Sequence, residues 1–532
     1  MSIWKVLVLD GLNISGIEVL KRSPSFHVDE FKKLSNEELL SKIPEYDALI
    51  VRSATKVNKE LLGSAEKLKI IGRAGIGVDN IDVAEATKRG IIVMNTPSEN
   101  TTTTAEHAIS LLFSMAKNIP QAYMSMKRGL WEKSKFMGVE VENKVIGIIG
   151  LGNIGKIVSL KAAALGMRVL AYDPYLTEEK AKHFKARLVD MDTLLKEASF
   201  ITIHTPLTDS TKGMINKEAF SKMQKGVYLI NAARGSIVNE SDLIEAIEQK
   251  IVAGAALDVL EKEPLDSDHP LRKISEVVMT PHIGAATREA QRNVAMGIAM
   301  QFVDYVEKGL LKNAVNLPSI PSELMSLLEP YREVASKMGE LGGQLWEGPV
   351  RRVKLEYKGE LADLPIQMLT NEFLKTFLSF MLGEKVNEVS APFLARERGI
   401  EVVESSSLES PDYTSVISVH VYENSNELTI DGCVFGKRNP KIVRVGEFPL
   451  ELSPYGFVLF LENKDVPGVV GKIGSELGKE GINIAGLMLG REEIGGRAYS
   501  LYHIDNDLGP NLLEKIRHMP DIIAAKVIRF KS

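Results

Sequence analysis

A glycine-rich turn, Gly150-Leu151-Gly152-Asn153-Ile154-Gly155, follows the apolar run "VIGII" and opens the helix-forming stretch "KIVSLKAAALG". Strand, glycine turn and helix in that order leave few folds open. Gly150 allows a tight turn, Gly152 lets a pyrophosphate approach the backbone, and Gly155 lets the helix pack close. The helix start presents unpaired N–H groups and a positive dipole end to phosphate. Such a turn commonly follows the first strand of its domain, yet 145 residues precede Ile146.

Those residues have a strand–helix rhythm of their own. "WKVLVLD", "DALIVR", "LKIIG" and "GIIVMN" are short and β-branched, with polar helix-forming segments between them. This is the pattern of a parallel sheet buried on both faces. A helical segment follows from about Thr104. A second series starts at Val145, with strands expected at "VIGIIG", "RVLAYD", "FITIHT", "VYLINA", "GAALDV" and "VVMT". Six strands alternating with helices describe a doubly wound sheet. In "REAQRNVAMGIAMQFVDYVEKG", Val294, Ile298, Phe302 and Val306 recur every four residues, a core-facing stripe that Gly309 suits as a C-terminal cap. "NAVNLPSIPSEL" reads as a linker. Residues 318–453 read as a third unit, helices first and strands after. The last 79 residues spell βαββαβ, the ferredoxin-like order.

At 532 residues the chain is too long for one core, and three or four domains are expected. A net charge of -5 provides no basic surface for nucleic acid. Cys433 is the one cysteine, which excludes an intramolecular disulfide and fits a reducing compartment. No apolar run approaches the ~20 residues of a membrane span. The start, "MSIWKVLVLDG", shows no basic n-region or cleavage site. The expectation is a soluble, cytoplasmic protein, unless a transit peptide has been removed.

Asp173 ends the strand after the glycine turn, 21 residues beyond Gly152. A carboxylate there can bind both ribose hydroxyls of NAD and repel a 2′-phosphate. "DPYLTEEK" puts no arginine next to it, so NAD is expected over NADP. Arg234 follows "VYLINA", Glu263 lies just past "GAALDV" and His282 follows "VVMT". All three fall at the carboxyl ends of strands, where an open α/β sheet binds its ligands. Oxidising a 2-hydroxy acid takes a base for the hydroxyl proton and a cation for the carboxylate. Histidine suits the first task and a bidentate arginine the second. A carboxylate beside the histidine favours its protonated form and fixes its tautomer.

With "GLGNIG", "NAARG", "EKEP" and "PHIGAAT" in place, residues 1–315 resemble the D-isomer-specific 2-hydroxyacid dehydrogenases. The resemblance implies His282 as acid/base, Glu263 as its partner and Arg234 as substrate anchor. It implies NAD contacts from Ile76, Gly150, Gly152, Asn153, Ile154, Gly155, Asp173, Thr205, Pro206, Ala232, Ala233, Arg234, Asp258, His282, Gly284 and Ala285, and no metal. It also accounts for the late glycine turn. A Rossmann-type domain, 99–286, is inserted in a split flavodoxin-like substrate domain, 1–98 and 287–315. The site lies in the cleft, which closure by a hinge would shield from water.

Arg52 and Arg73 follow strands of the first domain, and Gly75 and Gly77 leave backbone N–H groups open to an anion. These cations beyond Arg234 suggest a second anion such as a phosphate. The other reading pairs Arg52 or Arg73 with a structural acid such as Asp79. "RAGIGVDNID", "NTPSENTTTTAEH" with Asn100, and "WEKSKFMG" are similar to the branch of the family that acts on a phosphorylated substrate. The threonine run departs from that pattern and leaves the role of its loop open. "DGCVFGKRNPKIVRV" resembles that branch's α+β intervening domain, 318–453, and "NKDVPGVVGKIGSELGKEGINI" resembles an ACT domain, 454–532. The implied reaction is NAD-dependent oxidation of 3-phospho-D-glycerate to 3-phosphohydroxypyruvate, the first step of L-serine synthesis. The alternatives are a glyoxylate or hydroxypyruvate reductase and a non-catalytic NAD-sensing protein.

For the tail, the ACT-like pattern implies an amino-acid site shared between copies. Asp465 suits an ammonium, the N–H groups near Gly468 a carboxylate, and Asn463 and Asn483 the hydroxyl and ammonium of L-serine. Deleting 454–532 is expected to leave most catalysis intact. The other reading is a dimerising module without a ligand. Trp131 is either an anchor in a neighbouring subunit of a homodimer or homotetramer, or a core residue.

Overall fold

Five strands form the first sheet: β1 (Trp4–Val8), β2 (Phe26–Glu30), β3 (Ala48–Val51), β4 (Ile70–Arg73) and β5 (Ile92–Met94). Their order is β2-β1-β3-β4-β5, all parallel. That is the flavodoxin-like order. Alternate residues face opposite sides. Val6, Ile50 and Ile70 join one core layer, and Leu7, Leu49 and Ile71 the other. The computed structural model describes residues 3–531 apart from Ser319, Pro321, Glu384, Lys385, Pro411, Ser425, Lys437 and Glu492.

The helix Arg288–Lys308 closes this unit from nearly two hundred residues downstream of β5. Ile298 and Phe302 pack into the layer beside Val6 and Ile50. Gly72 in β4 makes room for them, since a Cβ there would lie 2.6 Å from the Phe302 ring. Gly309 ends the helix in the left-handed region, φ 67°, with its N–H on the Asp304 and Tyr305 carbonyls. The next residues, read as linker in the sequence, run antiparallel along the edge of β5. Val315 N donates to Val93 O at 2.7 Å, and Asn316 Oδ1 accepts from Val93 N at 2.9 Å. Ser319 and Pro321 of that stretch lie outside the described residues.

The second sheet contains β6 (Val145–Ile149), β7 (Arg168–Tyr172), β8 (Ala186–Leu188), β9 (Phe200–Ile203), β10 (Val227–Asn231), β11 (Val252–Leu257) and β12 (Val277–Met279). The order is β12-β11-β10-β9-β6-β7-β8, all parallel. Counted from β6 this is the Rossmann order with one added strand. Two strands escape the sequence reading, β2 ("FHVDE") and β8 ("ARL"). Both are edge strands with few buried residues, so neither shows a continuous apolar run. The helix expected from Thr104 starts at Thr101.

The third sheet is mixed: β13 (Arg352–Gly359), β14 (Glu401–Ser407), β15 (Ser415–Glu423), β16 (Asn426–Phe435), β17 (Asn439–Val445) and β18 (Phe448–Leu452), in the order β14-β13-β15-β16-β17-β18. β13 comes between the helices Ser322–Leu345 and Gln367–Leu382, so this unit is not simply helices followed by strands. The last sheet has β19 (Phe457–Lys464), β20 (Ile484–Arg491), β21 (Arg497–Ile504) and β22 (Ile522–Arg529), antiparallel in the order β20-β21-β19-β22. With its two helices this is βαββαβ. One sheet face carries its own helices. Val458, Phe460, Leu501 and Ile528 on the other face join the core of the third unit. No described helix is long and apolar enough to cross a membrane.

Candidate active site

The parallel order of the second sheet brings seven strand ends to one edge. β6 leads into the glycine turn and β9 into Thr205, where the strand order reverses. Gly150 has φ 91°, and a Cβ on it would lie 2.7 Å from Thr205 Cγ2 and 2.9 Å from His204 O. A Cβ on Gly155 would lie 2.0 Å from Gly150 O, so this glycine lets the helix close onto the turn itself. Gly152 faces open space. The helix Gly155–Ala164 has no side-chain cap, and Thr205 Oγ1 is buried without a partner. An open glycine, uncapped N–H groups and an orphaned hydroxyl fit a dinucleotide diphosphate. Asn153 Oδ1 accepts from Lys156, and the Ile154 carbonyl starts the helix ladder. Asp173 ends β7. One of its oxygens accepts from Leu151 N and the other from Tyr175 N, both at 2.9 Å, so the carboxylate also fixes the turn.

β12 delivers His282 to the same edge. Its backbone sits at φ 54°, held by its N–H on the Asp258 and Thr280 carbonyls at 2.9 and 3.0 Å. The ring Nδ1 lies 2.7 Å from Glu263 Oε2. That leaves Nε2 for proton exchange. The bond to Glu263 raises the His282 pKa above 6.5 against the opposing effect of burial, and the nearby Asp258 charge adds to the rise. Burial works to raise Glu263, but the bonds from His282 and Leu260 N prevail and hold it below 4.5.

Asp258, only 2% exposed, organises the loop. It accepts from Thr280 Oγ1 at 2.6 Å, Ile283 N at 2.9 Å and Gly284 N at 2.7 Å. His107 Nε2 approaches it at 3.2 Å. Neither His107 nor Thr280 was singled out from the sequence. The available signal was a histidine set beside the buried positions Ala105, Ala108 and Leu111 of one helix.

Arg234 follows β10 and spans the cleft. Its Nε pairs with Asp79 Oδ2 at 3.0 Å, and its Nη1 donates to Ala233 O at 2.7 Å. The Ala233 N–H in turn donates to Asn231 Oδ1, and Ala232 is buried beside it. Asp79 is therefore the partner of Arg234, not of Arg52 or Arg73. Arg73 ends β4, with Nη1 on Ala74 O and Nε buried without a partner. Burial, then the charges of Arg234 and Arg52, push its pKa down to about 10 against the pull of Asp79 and Asp10. Asp10 accepts from the Arg52 and Thr55 N–H groups, leaving the Arg52 guanidinium without an ion pair among the described residues.

The glycines here have a steric role. A Cβ on Gly75 would lie 1.4 Å from Arg73 Nη1, and one on Gly77 2.0 Å from Arg234 Nη2. The Ile76 carbonyl accepts from Asn95 Nδ2. Asn100 is 7% exposed with Oδ1 unpartnered, and it shares no hydrogen bond with the arginines. Pro206 accepts from Thr211, while no side-chain bond involves Ala285. Three guanidiniums opposite a paired histidine can hold a substrate with two anionic groups and exchange a proton with it.

Residues 109–284 match the D-isomer specific 2-hydroxyacid dehydrogenase, NAD binding domain; 327–446 match the D-3-phosphoglycerate dehydrogenase intervening domain; and 457–518 match the ACT domain. A D-3-phosphoglycerate dehydrogenase from Archaeoglobus fulgidus is 43% identical over 98% of this chain and 99% of its own length. The chain belongs to the D-3-phosphoglycerate dehydrogenase family. A member from Bacillus subtilis is 39% identical over 99% of both chains. The structure of a D-lactate dehydrogenase from Aquifex aeolicus, complexed with NAD and lactic acid, covers 59% of this chain and 100% of its own at TM-score 0.51 and 28% identity. The family is one of NAD-dependent 2-hydroxyacid dehydrogenases, and this chain is an enzyme of that class with NAD as its cofactor.

In the ACT domain the structure gives each expected ligand residue a partner within the chain. Asn463 Oδ1 accepts from Ser500, Asp465 pairs with Arg491 at 3.1 Å, and Asn483 donates to Asp505 at 2.9 Å. Gly468, φ 94°, starts an uncapped helix.

Proposed function

We propose that the enzyme oxidises 3-phospho-D-glycerate to 3-phosphohydroxypyruvate. The observation that carries this reading is the 2.7 Å His282–Glu263 pair facing a cleft with three guanidiniums, one of them bearing a buried, unpartnered donor. NAD, when bound at the glycine turn, supplies the hydride acceptor. His282 Nε2 takes the proton of the 2-hydroxyl, and Glu263 stabilises the imidazolium. Arg234 holds the carboxylate and polarises the forming carbonyl. Arg52 and Arg73 take the phosphate, which completes the solvation of Arg73. Residues 1–98 with 287–315 close on 99–286, and Arg234–Asp79 is a contact that links the two sides.

The runner-up is a glyoxylate or hydroxypyruvate reductase. Such substrates carry no phosphate and leave Arg52 and Arg73 without an anion. A purely NAD-sensing protein has no use for a charge-coupled His282 and Glu263. Turnover assays with NAD and phosphoglycerate, glycerate or lactate distinguish these readings. Phosphoglycerate is expected to be the preferred substrate, and no turnover with any of them supports the sensor.

Two assembly features belong to the same proposal. Ile119, Tyr123, Met126, Trp131 and Met137 are exposed along one stretch, Trp131 by 82% and Met137 by 84%. A second copy of the chain covers them, giving a homodimer or a dimer of dimers. Light scattering should give at least twice the 58.6 kDa of one chain. L-serine binds the ACT domain near Gly468 and inhibits, with coupling of roughly 1–3 kcal/mol. Binding requires Asn483 and Asp465 to exchange their in-chain partners for ligand. Asn483→Ala should abolish the inhibition in a serine titration. Deleting 454–532 is not a clean test, since it strips Val458, Phe460, Leu501 and Ile528 from the core of the intervening domain.

A further inference from the structure

Asn95, just past the end of β5, joins three segments that are distant in the chain. Its N–H donates to Asn313 O at 3.2 Å, its carbonyl accepts from Gln301 Nε2 at 3.1 Å, and its side-chain Nδ2 donates to Ile76 O at 2.6 Å. Because Ile76 presents a carbonyl, only the NH₂ end of the Asn95 amide can face it. Gln301, 5% exposed, is the polar member of the buried face that the helix Arg288–Lys308 makes with Val294, Ile298 and Phe302. A buried amide is costly unless it is bonded, and the donor of this one is directed at Asn95. Thr96, the next residue, donates its N–H to Gly75 O at 3.0 Å.

Asn95 and Thr96 thus hold the carbonyls of Gly75 and Ile76. A trans peptide points its N–H opposite its C=O, so the Ile76 and Gly77 N–H groups face away from Asn95 and Thr96. Two guanidiniums press on the same glycines, Arg73 Nη1 on Gly75 and Arg234 Nη2 on Gly77. A turn of this backbone either carries both arginines with it or collides with them. The bond to Asn313 leads the other way. Residues 313–316 carry the chain toward the intervening and ACT domains, and they pair with β5 at Val93 and Asn95. Asn316 Nδ2 also donates to Ile91 O at 2.9 Å and Thr87 Oγ1 at 3.0 Å. From the intervening domain, Asn387 Nδ2 holds Gly90 O at 2.8 Å, just ahead of the same strand. We propose, on the reading of the cleft as a phosphoglycerate site, that Asn95 is a positioning residue for the substrate's anionic groups and that residues 313–316 act on substrate affinity through it. A contact or ligand of the C-terminal half that shifts the pairing with β5 changes how the 75–77 loop and its two arginines meet the substrate.

Steady-state kinetics on the full chain tests both parts, with NAD and 3-phospho-D-glycerate as substrates. The proteins are the wild type, Asn95→Leu, Asn316→Ala and the double variant. Leucine keeps the shape and neutrality of asparagine and removes the donor to Ile76. Asn95→Leu should raise KM for phosphoglycerate roughly tenfold, the size of one lost hydrogen bond, and change kcat by less than about threefold. The acid limb of its pH profile should stay in place, since His282 and Glu263 keep their bond. Asn316→Ala should raise KM about threefold in the wild type and leave it unchanged in Asn95→Leu, because the route is already cut. Calorimetry with NAD and thermal unfolding show that each variant is folded, and NAD affinity should hold within about threefold. An unchanged KM in Asn95→Leu, or NAD affinity falling as far as substrate affinity, would overturn the positioning role. Equal KM increases from Asn316→Ala in both backgrounds would overturn the coupling. A wild type inactive on phosphoglycerate would bring down the substrate reading itself, and the role of Asn95 with it, before any variant is compared.

Discussion

In the proposed mechanism the proton transfer turns on how His282 is held. Its positive φ is a costly conformation for a side chain of this size, kept in place by two hydrogen bonds from its own N–H. Because Glu263 raises its pKa, phosphoglycerate oxidation should lose rate on the acid side around a pH above 6.5, where His282 becomes protonated and cannot accept a proton. Glu263→Gln removes the charge that favours imidazolium, so that limb should move to lower pH. A pH–rate profile of kcat/KM checks this, and an unmoved limb separates the two residues. His282→Ala should cost roughly 10²–10⁴ in kcat. The pair also contributes to stability. The histidine share is complete below 6.5 and is lost as pH rises through its raised value; the glutamate share is complete above 4.5 and is lost as pH falls through its lowered one. At this scale Arg234, Glu263 and His282 were legible, since each follows a strand that the sequence announces. Asp79 as the partner of Arg234 was not, because 155 positions separate them and only the closure of two sheets brings them together. The steric demand on Gly75 and Gly77 was hidden for the same reason.

Among the elements, the buried parallel strands and the helix Arg288–Lys308 were readable because their apolar residues recur at the strand and helix periods. The edge strands β2 and β8 were not, because an edge strand needs little apolar surface. The proline-rich segment after Gly309 looked like a linker because its pairing with β5 uses backbone and Asn316, which leave no apolar signal. The helix Arg288–Lys308 makes its unit discontinuous, and Phe302 against Gly72 is one of the contacts that hold it to the sheet. Phe302→Ala should cost about 3–5 kcal/mol by chemical denaturation, since it empties a fully buried ring site. Gly72→Ala should also destabilise, by about 1–3 kcal/mol, because neither the ring nor Ile298 has room to move. A neutral result for both would mean that the helix is not held by this contact.

Across the whole molecule, the ACT domain is fastened by a helix that stands in for a strand. Gln344 accepts from Arg529 N at 2.9 Å and donates to Arg529 O at 3.1 Å, while Glu340 accepts from Lys531 N at 3.1 Å. Four helical residues rise about 6 Å and two strand residues about 6.6 Å, so side chains four apart meet backbone groups two apart. Gln344→Ala should speed amide exchange at Arg529 in hydrogen-exchange mass spectrometry, with little change in β1–β5. Uniform exchange in the variant and wild type would show that the shared apolar core alone holds the tail. The βαββαβ order of this domain was plain in the sequence, but its shared core was not, because a strand buried on both faces looks the same whichever neighbour covers it.

In the proposed mechanism the three arginines and the His282–Glu263 pair form one site for a phosphorylated 2-hydroxy acid. Its most direct test is the ratio of kcat/KM for 3-phospho-D-glycerate to that for D-glycerate, with NAD, in the wild type and in Arg73→Ala. The ratio should be large in the wild type. It should fall at least tenfold in Arg73→Ala through loss of the phosphorylated substrate, with glycerate little changed. A wild-type ratio near one, or equal losses on both substrates in the variant, would mean that these arginines do not form a phosphate site.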